Sequence, residues 1–152
     1  MEDKIKLHEI CGYLPYGLNF ISEMDKPYEE YGGQPKWTCI GITTIFKDYC
    51  FITRENNDAY SISLSKPLLR PLSDLTKEIE HNGERFVPIV KLLQEYCFDT
   101  NQMTEQEINE YAESMIEIDM SYMTAQMLME WHFDIHGLID RNLALNINDY
   151  EI

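Results

Sequence analysis

The sequence predicts an α+β fold: a small antiparallel sheet or SH3-like barrel over residues 12–72, with helices packed on it over 73–140 and a closing strand at 143–147. Three observations predict it. Alternating, β-branched runs crowd the first half, apolar residues at helical spacing fill the second, and short Gly/Pro/Asn/Asp clusters separate the segments. At 152 residues, a single domain spanning 1–152 is expected. A chain of this size buries roughly two thirds of its unfolded surface, enough for a core without staples. With 44% apolar and 12% aromatic residues, the composition is that of a folded chain.

Residues 3–11 read as a short helix with Ile5, Leu7, His8 and Ile10 on its apolar side, ended by Gly12. Leu18 to Ser22 reads as a first strand, and 23–36, with Pro27, Gly32, Gly33 and Pro35, as a loop. Trp37 to Phe46 is the clearest strand, turning at Lys47-Asp48 into Tyr49 to Arg54. Glu55 to Asp58 is a turn with two asparagines that tolerate positive φ. Ala59 to Ser65 alternates Tyr60, Ile62 and Leu64 with Ser61, Ser63 and Ser65, one dry face and one wet. Pro67 and Pro71 are expected to end the sheet or mark its edge, because proline lacks the donor a ladder needs.

Ser73 is expected to cap a short helix over 74–80, Asn82-Gly83 to turn the chain, and a helix to run from about Ile89 to Tyr96. Thr104-Glu-Gln-Glu107 is a capping box. It opens a helix with Ile108, Tyr111, Ala112, Met115 and Ile116 on one stripe and Glu110, Glu113 and Glu117 on the other side. Ser121 caps a further helix with Met123, Met127, Leu128 and Trp131 inward, broken by Gly137. The expected core is Trp131, Leu128, Ile116, Leu92, Leu93, Ile62, Leu64 and Ile42.

Charge is unevenly placed. The last 61 residues carry thirteen acids and one base, Arg141, so −12 of the net −15 lies there. Such a surface repels nucleic acid, anionic membrane and acidic proteins. Glu110–Glu113 and Glu113–Glu117 are like-charge neighbours that destabilise a helix by about 0.2–0.5 kcal/mol each. Folding gains nothing from them. They suit either a solvated face that aids solubility or a surface that docks a basic groove, and the near absence of lysine favours no mixed-sign surface.

His132 and His136 stand four residues apart. On a continuous helix they would share a metal, but Gly137 follows at once and no third ligand is placed by sequence. A histidine pair at a helix C-terminus, favourable to the dipole, is the other reading. Five methionines between Met115 and Met129 read as core or as an adaptable groove, with Met129 off the stripe. The aromatics Tyr13, Tyr16, Phe20, Tyr28, Tyr31 and Trp37 read as packing at the sheet edge, since base stacking also needs a basic groove. The four cysteines, none in a C-x-x-C pair, read as free thiols. No catalytic motif is present: neither G-x-S-x-G, nor a P-loop, nor a dinucleotide fingerprint. No cofactor is expected. No export signal and no apolar run of membrane-spanning length are seen, so a cytoplasmic location is expected.

Four blocks carry a resemblance: YLPYGL at 13–18, KPLLRPLSDLTKEI at 66–79, NGERFVPI at 82–89 and EWHFDIHGLI at 130–139. Together, and in this order, they resemble a group of small uncharacterised proteins encoded by phages and prophages of gut Bacteroidales bacteria. Members often carry a glycine where this chain has Asn142, the other residue that accepts a left-handed turn. The resemblance implies a phage origin and the cytoplasm of a bacterial host. It carries over no chemistry and no site residues.

The function expected is a non-enzymatic acidic interaction module. It would bind a basic host protein, such as a nucleic-acid-handling enzyme, through Glu110, Glu113 and Glu117, without binding nucleic acid or membrane itself. Two alternatives stand beside it: a structural or assembly component of a phage particle or replication complex, and a small metal-dependent module at His132 and His136.

Overall fold

The computed structural model describes residues 3–23, 35–117 and 120–150. The fold is α+β: four α-helices and a six-stranded, mostly antiparallel sheet that stays open, so the SH3-like barrel is not formed among the described residues. The strands are β1 (Asn19–Ser22), β2 (Trp37–Ile45), β3 (Asp48–Thr53), β4 (Ala59–Ser61), β5 (Ser65–Leu69) and β8 (Leu145–Asn146), in the order β4-β3-β2-β1-β5-β8. β6 (Ile79–His81) and β7 (Glu84–Phe86) form a separate hairpin. The helices are α1 (Leu7–Ile10), α2 (Pro88–Glu95), α3 (Glu105–Glu117) and α4 (Tyr122–Glu130). Two strands, β6 and β7, thus fall in the stretch read as helical, β8 falls where the closing strand was expected, and a 3₁₀ turn over Cys11–Tyr16 precedes the sheet.

Several boundaries differ from expectation for local reasons. The β2–β3 turn is Phe46-Lys47, at φ 49° and 71°, rather than Lys47-Asp48. Positive φ at both central residues is the primed turn that matches the twist of a two-residue hairpin. Ile62–Leu64 winds into a 3₁₀ turn, so the alternation from Ala59 to Ser65 fails. Leu64 swings out to solvent, while Ser65 is buried and donates to the Ser61 carbonyl at 2.7 Å. Pro67 does not end the sheet: it stands inside β5 opposite Phe20. β8 joins β5 in parallel only at Leu68 and Leu69, so the rung a proline cannot supply is one that β8 does not reach. The helix expected over 74–80 gives way to a 3₁₀ turn (Leu72–Thr76) and then to β6, because Asn82-Gly83, at φ 51° and 82°, folds Ile79–His81 back on Glu84–Phe86.

Two apolar clusters carry most of the core. Ile10, Tyr13, Leu18, Phe20, Cys39, Phe51, Tyr60, Ile62, Leu69 and Leu138 pack between the sheet and the N-terminal turns. Leu75, Ile79, Leu92, Leu128, Trp131 and Phe133 pack beneath α2 and α4. Of the expected core, Trp131, Leu128, Leu92, Leu93 and Ile62 are buried and Ile42 is half-buried. Ile116 is exposed, because α3 turns Ile108, Ala112 and Met115 toward α2 and leaves its last turn overhanging. Met129, off the methionine stripe, is half-buried. It packs against the core under Gly12, where an added Cβ would overlap its sulfur and oblige the Met129 side chain to move.

All four cysteines are free thiols, Cys39 and Cys50 buried, Cys11 and Cys97 exposed. The β2–β3 register sets Cys39 opposite Thr53 and Cys50 opposite Thr43. Tyr13 and Phe20 are buried, and Trp37 stacks on Tyr60 at 5.5 Å. Tyr28, Tyr31 and most of the loop expected over 23–36 lie outside the described residues.

Candidate functional site

The acidic helix is where the sequence placed it. Thr104 accepts a hydrogen bond from the Glu107 amide at 3.2 Å, which fixes the first turn of α3. Ala112, Ile108 and Met115 then pack against Ile89, Val90 and Leu93 of α2. With that face turned in, Glu105, Glu107, Glu110 and Glu113 stand in solvent. Gln106 donates to Glu110 at 3.1 Å, one turn along the outer side. Glu117 closes the helix, its side chain outside the described residues. Tyr111 is partly exposed and packs against Phe98 at 5.1 Å between ring centroids, so an aromatic shoulder borders the acids.

Arg141, the only base after Lys91, is not available to this face. Its guanidinium donates to Asp3 at 2.7 and 2.9 Å and to Glu9 at 2.7 Å. Glu9 is buried and also accepts from the Lys6 amide at 2.9 Å. Its carboxyl is held below the usual range: burial works to raise it, and the hydrogen bonds from Arg141 and Lys6 outweigh burial.

The two candidate metal histidines are not on one helix. α4 ends at Glu130, not at Gly137, through a left-handed His132 at φ 63°. The His132 amide reaches the Met129 carbonyl at 3.0 Å and the Phe133 amide reaches Leu128 at 2.8 Å, the paired bonds of a Schellman closure. Beyond it, Asp134 accepts from the Leu138 and Ile139 amides at 2.8 Å each and builds a new turn. His132 therefore faces Tyr16, whose carbonyl accepts from its Nε2 at 2.7 Å, while His136 packs edge-on against His8 at 6.1 Å. Among the described residues no group of three or more His, Cys, Asp or Glu side chains could hold a metal ion.

Sequence reading missed a cleft of about 530 Å³ between the Cys11–Tyr16 turn, the β6–β7 hairpin and the end of α4. Tyr16, Asn19, Arg54, Arg70, His81 and His132 are among its lining. Arg70 is buried, donating from Nε to the Trp131 carbonyl at 3.2 Å and from a terminal nitrogen to the Glu80 carbonyl at 2.8 Å. His81 meets the His132 ring edge-on at 4.9 Å, and its buried Nε2 has no hydrogen-bond partner. Burial, with His132 and Arg70 nearby, pushes its pKa down to about 4. Its ring is neutral at pH 7. Glu80 and Glu130 add two carboxylates to the lining. The only signals for the cleft in the sequence were Arg70 between two prolines and the histidine before Asn82-Gly83.

No family model, no curated protein and no solved structure matches the chain. No helix among the described residues is long and apolar enough to cross a membrane.

Proposed function

We propose that this is a non-enzymatic phage or prophage accessory protein that docks a basic host protein through α3. The observation that carries the reading is the allocation of charge. Glu105, Glu107, Glu110 and Glu113 face solvent, while the only base of the last 61 residues is turned onto Asp3 and Glu9. No base of its own segment therefore neutralises the helix. Tyr111 and Phe98 add an apolar shoulder beside the acids. Aromatic contact area flanked by charge suits a protein interface, in which charge sets approach and specificity while aromatics supply contact energy. A basic nucleic-acid-handling enzyme, whose groove is shaped for regularly spaced phosphates, fits this surface. The resemblance to phage proteins supplies the setting, the cytoplasm of a bacterial host. The protein itself would bind neither nucleic acid nor membrane, both of which its charge repels.

Charge reversal tests it. The triple substitution Glu110→Lys, Glu113→Lys, Glu117→Lys should abolish partner binding while the circular dichroism spectrum and cooperative melting persist. Full binding by the triple variant would remove α3 as the docking surface.

A further inference from the structure

The cleft between the Cys11–Tyr16 turn, the β6–β7 hairpin and the end of α4 holds more charge than folding explains. Its volume, about 530 Å³, falls in the range of small-ligand sites, roughly 300–1,000 Å³. Arg54 and Arg70 bring two cations to it, Glu80 and Glu130 two carboxylates. Arg70 is 3% exposed, and taking a guanidinium out of water costs a fold more than burying an apolar side chain of that volume. α4 ends on Glu130, an acid at the helix end where the dipole favours a base. Glu130 is exposed and pairs with no base among the described residues, whereas Glu80 lies 3.5 Å from Arg85.

On the sheet side of the cleft, one hydroxyl brings Arg54 and Asn19 together. Thr38 accepts from a terminal nitrogen of Arg54 at 3.4 Å and donates to Oδ1 of Asn19 at 3.0 Å. The acceptor of Asn19 is thus taken, and its amide N–H groups are left as donors. Glu55, next to Arg54 in the chain, has both carboxylate oxygens on the Thr38 amide at 3.0 Å each. A guanidinium and an amide donor on this wall, with the guanidinium of Arg70 on the α4 side, make a seat for a carboxylate. Glu130 supplies the opposite sign. An anion alone would face two carboxylates and the field of a chain of net −15, and a cation alone would face two arginines. A ligand that meets both kinds of group carries both charges.

We propose that the cleft binds a small zwitterion of the free amino acid class, its carboxylate at Arg54, Arg70 and Asn19 and its ammonium at Glu130. The buried guanidinium and the acid at the end of α4 then have a use that folding does not give them. Pro15, Tyr16 and Ile147 offer apolar surface to the ligand's side chain. With no net charge, such a ligand also escapes the repulsion that the chain exerts on anions. The site shares no residue with α3, so it stands whether or not α3 docks a partner.

Isothermal titration calorimetry of the full chain against the common free amino acids at neutral pH tests it, with inorganic phosphate as a simple anion and glucose as a neutral polyol. At least one amino acid should bind and move the Tyr16 and His132 ring resonances in NMR spectra. Its deaminated and decarboxylated analogues, each keeping one charge, should bind about tenfold more weakly or worse, the loss of one charged hydrogen bond. Arg54→Gln and Glu130→Gln should each weaken binding by a similar factor. Both residues are exposed, so both variants should melt cooperatively, and Glu130→Gln no lower than the wild type, because it relieves the helix end. No binding by any amino acid, phosphate or glucose bound in their place, analogues as tight as the parent, or both variants at full affinity would each overturn the proposal. The α3 triple substitution should leave amino acid binding intact, which separates failure here from failure of α3 docking.

Discussion

Arg141 and Glu9 meet at 2.7 Å, joining the last turn before β8 to the first helix. The same guanidinium holds Asp3. The pair ties the segment after α4 to Asp3 and α1 and occupies the only base of the acidic segment, so one contact serves both the fold and the charge pattern.

Replacing Arg141 with methionine should therefore lower the melting temperature at neutral pH. Both carboxyls are held below their usual values, Asp3 chiefly by its hydrogen bond from Arg141. A carboxyl lowered in the fold contributes stability above its unfolded value and loses it as pH falls through the folded one. The gap between wild type and Arg141→Met should narrow as the medium is taken below the carboxylate range. A gap independent of pH would show that Arg141 acts by packing its stem alone.

Tyr13 is the buried post on which the segment after α4 rests. Its hydroxyl donates to the Phe133 carbonyl at 2.5 Å and accepts from the Ile135 amide at 3.3 Å. Tyr13→Phe keeps the ring and strands both backbone groups, a loss of about 1–3 kcal/mol. Urea denaturation measures it. No change in midpoint would mean that water replaces the hydroxyl.

His81 supplies a pH dependence of definite sign. Its folded pKa, about 4, lies below the ordinary 6.5, so the unfolded chain takes up the proton first. Stability should fall as pH drops from the ordinary value toward 4, and His132 and His136, lowered by burial as well, add slope in the same direction. His81→Leu should flatten that slope, and the ring resonances of His81 should titrate near 4. A midpoint near the ordinary value would show the ring hydrated.

The sequence revealed the elements whose signal is local. β2 forms over Trp37–Ile45, although a bulge between Cys39 and Gly41 breaks its alternation and leaves Ile40 exposed; Thr104 caps α3 by accepting from the Glu107 amide, and Ser121 accepts from the Thr124 amide at 3.2 Å. The sequence misled where tertiary contacts choose. Ile62–Leu64 has a strand's pattern and winds into a 3₁₀ turn. His132 takes a left-handed conformation that glycine usually holds, so α4 stops well before Gly137. The acids of α3 were legible because periodicity alone puts Glu110 and Glu113 outside. The His81–His132 cleft was not, because its walls are gathered from segments scattered between Pro15 and Ile147. Nor could composition show that Phe46, rather than Lys47, leads the hairpin turn.

Affinity capture of the tagged chain from host-cell lysate, run in parallel at low and high salt with the wild type and the α3 triple variant, tests the docking account most directly. The account predicts a basic protein held by the wild type at low salt, released at high salt as charges are screened, and absent from the triple variant. Retention of the same protein by the triple variant, or equal retention at both salt concentrations, would contradict it.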